Sequence, residues 1–132
     1  MNEQEIQQDI QLESSKQGHK LWRNNSGGFK DETGRVVYFG LGVISKQSNA
    51  AFKSSDLIGF TMVEITKDMV GTKLPIFTAI EVKNSKWKYT ETEREVAQKK
   101  FMDVIKMNKG IASFVNSVEG YVKTILNYKL MR

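Results

Sequence analysis

The chain has 132 residues, 39% of them hydrophobic, and a net charge of +5, which suits one small domain with one core. It has no cysteine, which excludes disulfides and thiolate zinc sites and fits a reducing cytoplasm. No apolar run nears the roughly 20 residues a membrane-spanning helix needs, and the polar, acidic start from Met1 to Leu12 does not read as a signal peptide.

The charge is unevenly placed. Residues 1–15 carry four acids and no base, residues 16–53 carry seven bases against two acids, and residues 81–109 carry eight against five. A basic excess confined to two segments points to a polyanionic partner, against the alternative of a solvated lysine-rich surface.

In chain order, Ile6, Ile10 and Leu12 set among polar residues predict an amphipathic helix over Glu3 to Lys16, with Gly18 as its stop. Lys20 to Arg23 is a short strand, and Asn24 to Gly28 is a turn or loop by composition. Asp31 to Gly34 reads as a hairpin turn before a strand over Arg35 to Phe39, and Gly40 to Ser55 is a long polar connection. Two strands follow, roughly 56–65 and 74–82, with Pro75 at the start of the second. Thr90 and Glu93 have capping-box spacing ahead of a helix that runs to about Asn108, with Gly110 as its C-terminal cap. Ile111 to Val115 is a short buried strand, and Asn116 or Ser117 caps a final helix. The six methionines read as core filling. This order predicts an α/β domain with a central mixed sheet flanked by helices.

Asp56 and the triplet Glu81-Val82-Lys83 stand out, because each places charge in an apolar, strand-like run. An unpaired carboxylate is costly in a buried strand, and a divalent cation held by Asp56 and Glu81 would remove that cost. The period of a strand puts Glu81 and Lys83 on one face and turns Val82 toward the core. The lysine can then orient or deprotonate a water beside the metal, and the peptide carbonyl of Val82 is a further candidate ligand. Asp56 and Glu81 become neighbours if the strands 56–65 and 74–82 pair as a hairpin. Mg²⁺ on one or two carboxylates, with waters and phosphate oxygens in its other positions, suits phosphodiester hydrolysis. A structural ion-pair cluster is the competing reading of the same residues.

The order Arg23-Asn24-Asn25-Ser26-Gly27, Ser55-Asp56-Leu57-Ile58-Gly59, Ile80-Glu81-Val82-Lys83 and then Gln98 resembles the VRR-NUC nucleases of the PD-(D/E)xK superfamily, from Glu5 to about Leu126. Ser55 stands where that pattern has a proline. The resemblance implies a restriction-endonuclease-like fold in a single domain over 1–132, Mg²⁺ or Mn²⁺ dependence and DNA as substrate. For the minimal stand-alone type found in phage and bacteria, it also implies a homodimer acting on branched DNA such as Holliday junctions. It assigns Gln98 a place beside the lysine and makes Glu5 the first-helix acid that completes the site, with Asp9 its competitor one turn later. Arg23, Asn24, Asn25, Lys53, Ser54, Ser55 and Lys86 are candidate DNA contacts, and Ser54 and Ser55 can also orient Asp56 or cap a backbone amide. Trp87 and Tyr89, set among Lys86 and Lys88, can stack on a nucleic-acid strand or pack at a surface. His19, the only histidine, marks the helix exit. The expectation is a metal-dependent DNA endonuclease, with a non-catalytic nucleic-acid-binding module as the alternative and RNA as a third substrate class.

Overall fold

Helix α1 (Glu3–Lys16) begins where Asn2 offers a side-chain oxygen to the Glu5 amide at 2.9 Å while the Glu5 carboxylate accepts the Asn2 amide at 2.9 Å. This reciprocal cap satisfies two of the free amides at the helix start. It belongs to a computed structural model that describes residues 2–25, 27–41 and 55–131. The sequence expectations for Ser26, Lys53 and Ser54, and most of the polar connection before Ser55, fall outside the described residues. The chain divides into two compact units, Met1–Val63 and Glu64–Arg132.

In the first unit, α1 leads into β1 (Lys20–Arg23), and the Gln11 side-chain amide ties the helix to the Leu21 carbonyl at 3.3 Å. Strand β1 pairs antiparallel with β4 (Leu57–Phe60), setting Trp22 opposite Ile58 and Leu21 opposite Gly59. A Cβ at Gly59 would drive into the Lys20 carbonyl and approach the Leu21 Cα at 2.9 Å, so the backbones meet at a distance only glycine permits. Strands β2 (Gly27–Lys30) and β3 (Val36–Phe39) form the hairpin expected around Asp31. Asp31 Oδ1 accepts from the Thr33 hydroxyl at 2.6 Å, the Thr33 amide at 2.9 Å and the Arg35 amide at 3.0 Å, an Asx-type turn. The Thr33 hydroxyl leads the causes that hold the Asp31 carboxyl below its ordinary pKa. Gly27 and Gly28 open a strand rather than closing a loop. The Tyr38 ring lies 3.0 Å from where a Gly28 Cβ would stand, so these glycines make room for aromatic rings across the ladder.

The second unit is a strand–helix–strand unit with a closing helix. Strand β5 (Thr78–Val82) runs parallel to β6 (Ile111–Val115), and α2 (Glu93–Met107) makes the crossover that parallel pairing requires. Helix α3 (Val118–Leu130) follows, capped by the Ser117 side chain on the Gly120 amide. Met102 and Ile105 of α2 and Ile111, Ala112 and Val115 of β6 are the buried apolar residues of this unit, with β6 packed against both α2 and α3. The α2 cap sits two residues later than the sequence spacing indicates, with Thr92 and Glu95 as the reciprocal pair. At its other end the left-handed residue is Lys109 (φ 70°), not Gly110. Of the methionines, Met102 enters the core, whereas Met62, Met107 and Met131 are exposed.

The described residues are therefore mixed α/β, with three α-helices and three two-stranded sheets, two antiparallel and one parallel. The expected hairpin of strands 56–65 and 74–82 does not form: both strands are shorter, and they take β1 and β6 as partners. Residues 61–65 have strand composition, yet the Met62 amide donates to His19 Nδ1 at 2.9 Å rather than to a ladder, and a short 3-10 helix follows at Lys67–Met69. No helix among the described residues is long and apolar enough to cross a membrane.

The close approach at Gly59 makes a direct prediction. Gly59→Ala should destabilise the first unit by about 1–3 kcal/mol, the usual cost of overpacking, because backbone rather than a flexible side chain must yield. Chemical denaturation followed by the Trp22 environment reads this, and an unchanged midpoint would show that the β1–β4 pairing differs from the one described.

Candidate active site

The parallel ladder continues one residue past β5, where the Lys83 amide donates to the Val115 carbonyl at 2.8 Å. That bond fixes the backbone from which Lys83 extends, and strand periodicity places its side chain on the same side as Glu81. The Lys83 ammonium lies 3.7 Å from Glu81 Oε1. Gln98, from the second turn of α2, bridges the pair: its Oε1 accepts from Lys83 Nζ at 2.9 Å, and its Nε2 donates to Glu81 Oε1 at 2.8 Å. Gln98 thus stands beside the lysine and orients both charged groups.

Burial divides the pair. The Lys83 side chain is 16% exposed and that of Glu81 38% exposed. The ammonium also lies 5.8 Å from the Trp87 ring centroid and 5.5 Å from that of Phe114, within cation–π range. Beyond Gln98 it makes no other hydrogen bond among the described residues, so donors remain for a water or a phosphate oxygen. A groove of about 590 Å³ lies on the Glu81 side, lined in part by Arg94, Gln98 and Phe101.

Two expectations about these strands need correcting. Val82 does not turn into the core but is 72% exposed, because α2 packs over the opposite face of β5, the one that bears Glu81 and Lys83. The argument from buried, unpaired carboxylates also fails: Asp56 is exposed just ahead of β4, and Glu81 is half-buried and paired.

The buried carboxylate in this unit is Glu95, 5% exposed. It accepts from the Trp87 indole at 2.6 Å, from the Thr92 amide and hydroxyl at 3.0 and 2.9 Å, and from the Thr90 amide and hydroxyl at 3.2 and 3.3 Å. The Thr92 amide is the largest cause that pulls its pKa down to about 2 from 4.5, with the Thr92 hydroxyl, Thr90 and Trp87 adding to it against desolvation. Glu95 takes the capping role that sequence spacing gives to Glu93, and the indole of Trp87, 8 residues earlier, is the partner that marks it. Arg94 was also missed, although it lies one helical turn before Gln98, on the same face of α2.

The remaining candidates lie in the first unit or on turns. Asn24 binds the start of β4, its side chain donating to the Ser55 carbonyl at 2.9 Å and its amide to the Asp56 carbonyl at 2.9 Å. The structure therefore brings the Arg23-Asn24 and Ser55-Asp56 segments together, with Arg23 opposite Leu57 and the Asp56 side chain exposed. Arg23 and Asn25 are exposed. Glu5 spends its carboxylate on the helix cap, and Asp9 is exposed on α1. Lys86 is exposed in a turn where its amide donates to Asn84 Oδ1 at 3.0 Å. His19 sits at the helix exit as expected.

Among the described residues no three histidine, aspartate or glutamate side chains converge as a ready-made metal cage. Glu81 nevertheless fits a hard cation that keeps most of its waters. Its Oε2 takes no hydrogen bond among the described residues, and Mg²⁺ is commonly held by one or two carboxylates.

Glu95 makes the second unit sensitive to acid. A carboxylate with a folded pKa depressed to about 2 stabilises the fold fully above its unfolded value near 4.5 and loses that contribution as pH falls toward 2. Thermal melts from neutral to strongly acidic pH should show this loss in the wild type, and Glu95→Gln should be less stable near neutrality with a shallower acid slope. Equal slopes in the two proteins would remove Glu95 as the source.

No protein-family model, no curated protein and no solved structure matches the chain.

Proposed function

We propose that the chain is a metal-dependent endonuclease acting on DNA, with Glu81, Lys83 and Gln98 at its catalytic centre. The observation that carries this reading is the bridged triad: a carboxylate and an ammonium on one strand face, both held by one glutamine on the crossover helix. A purely structural ion pair has no need of a third group oriented to both partners. In this reading the β5–α2–β6 unit is the catalytic part of a restriction-endonuclease-like fold.

Glu81 would hold Mg²⁺ or Mn²⁺, with the Val82 carbonyl as a further oxygen donor, and the sequence resemblance makes Asp56 essential to the same chemistry. The cation, when bound, supplies charge neutralisation at the phosphate and an acidified water. Gln98 keeps Lys83 from collapsing fully onto Glu81, holding the ammonium where its remaining donors meet a phosphoryl oxygen or orient the attacking water. The aromatic faces of Trp87 and Phe114 shield that cation from solvent, which strengthens its pull on charge that develops on the phosphate. Arg23, Asn25 and Lys86 offer donors for backbone phosphates. A homodimer would present one such site to each of two strands of a branched DNA.

A cleavage panel of labelled duplex, flap, fork and four-way junction with Mg²⁺, Mn²⁺, Ca²⁺ or EDTA tests this. Cutting should require Mg²⁺ or Mn²⁺, with Ca²⁺ supporting binding alone. Asp56→Asn and Glu81→Gln should abolish cutting while the protein stays folded, and Lys83→Ala should slow it on the order of a hundredfold or more. Binding should weaken steeply with salt, as phosphate contacts demand. Wild-type binding to DNA with no cutting under any metal would identify a non-catalytic module instead.

A further inference from the structure

Behind the triad, Trp87, Tyr89 and Phe114 form a cluster of rings, with centroids 4.9 Å apart for Trp87–Phe114, 5.8 Å for Tyr89–Phe114 and 6.3 Å for Trp87–Tyr89. These rings line a cleft of about 290 Å³ whose helical wall supplies Lys99 and Lys106 from α2. Tyr89 remains 39% exposed, whereas Trp87 is held in place by its hydrogen bond to Glu95. We infer that this cleft binds one unpaired nucleobase of a single-stranded segment, stacked on Tyr89, with Lys99 and Lys106 on the phosphates either side.

Three features lead to this occupant. Ring faces offered beside lysines are what sequence-tolerant binding of single strands uses, each base stacking and each phosphate meeting a cation. At about 290 Å³ the cleft is close to the lower bound for small-ligand sites, roughly 300 Å³, a size suited to one base. Among the described residues Lys99 is held only by an exposed pair with Asp103 at 3.3 Å, which a phosphate can displace. Trp87 meanwhile belongs to both places: one contact supports the Lys83 cation and another lines the cleft. A base seated there would therefore lie next to the proposed catalytic lysine. This gives substrates with unpaired nucleotides near the cut a preference over continuous duplex. The class of ligand rests on the nuclease reading; the cleft itself does not.

Binding of a labelled short oligothymidylate in EDTA, compared with an abasic strand of equal length, tests the cleft without any cleavage. The base-containing strand should bind about tenfold more tightly, the worth of one good aromatic stack. Tyr89→Leu, which fills the space without a ring, should bring that ratio close to one, while Tyr89→Phe should keep it. Lys106→Gln should weaken both strands alike and leave the ratio unchanged. Thymidine monophosphate alone should bind far more weakly than the strand. Equal affinity for the two strands, an unchanged ratio in Tyr89→Leu, or a mononucleotide that binds as tightly as the strand would overturn the inference. Because no metal is present, a chain that fails to cut DNA can still pass this test, and an active nuclease can fail it.

Discussion

The second unit depends on the carboxylate of Glu95, which draws the connection between β5 and α2 onto the start of the helix. Residues 83–92 form no regular structure, and their backbone groups have few ladder partners. Five donors from Trp87, Thr90 and Thr92 converge on the one carboxylate. The negative charge also lies in the first turn of α2, where the helix amides favour an anion. A single side chain thus caps the helix, closes the connection and sets the plane of the Trp87 ring. The ring in turn forms one wall around the Lys83 ammonium, so the order of an irregular segment reaches the triad through a cap.

Much of this could be read in the sequence, and what could not has a common physical origin. The extent of α1, the hairpin around Asp31, the strand at Ile111 to Val115 and the cap at Ser117 follow from local periodicity and turn chemistry. The Glu81–Lys83 face follows from the period of a strand. The errors concern pairing across distance. Residues 61–65 have strand composition, but the nitrogen of His19, far back in the chain, takes the amide that a ladder would use. Gly27 and Gly28 look like a turn until the rings of Tyr38 and Phe39 are seen to occupy the space a Cβ would need. Thr90-Glu93 and Thr92-Glu95 differ little as local signals, and the indole of Trp87 selects the second pair.

The misplacement of Val82 has the same cause. Alternation alone says which residues share a face, not which face the next element covers. Once β5 and β6 pair in parallel, the crossover helix must return over one side of the pair. Here α2 covers the side bearing Glu81 and Lys83, so the charged face receives the helix and Val82 is left outside. A helix laid over two charged side chains must bring polar groups to meet them, and Gln98 is that group.

The amide at position 98 is chemically specific. Glu81 Oε1 needs a donor and Lys83 Nζ an acceptor, and a glutamine side chain carries one of each at the end of the same stem. A glutamate there could accept from the lysine but, when ionised, could offer nothing to Glu81 and would add a like charge beside it. A lysine or arginine would satisfy Glu81 but repel the ammonium. A leucine would fill the space and leave both charges to pair directly, with the ammonium's donors drawn onto the carboxylate. The bridging amide alone keeps the two charges close yet separately oriented, with one carboxylate oxygen and part of the ammonium still available. That division of hydrogen-bonding capacity is what a site needs if one charge is to hold a cation while the other meets a phosphate.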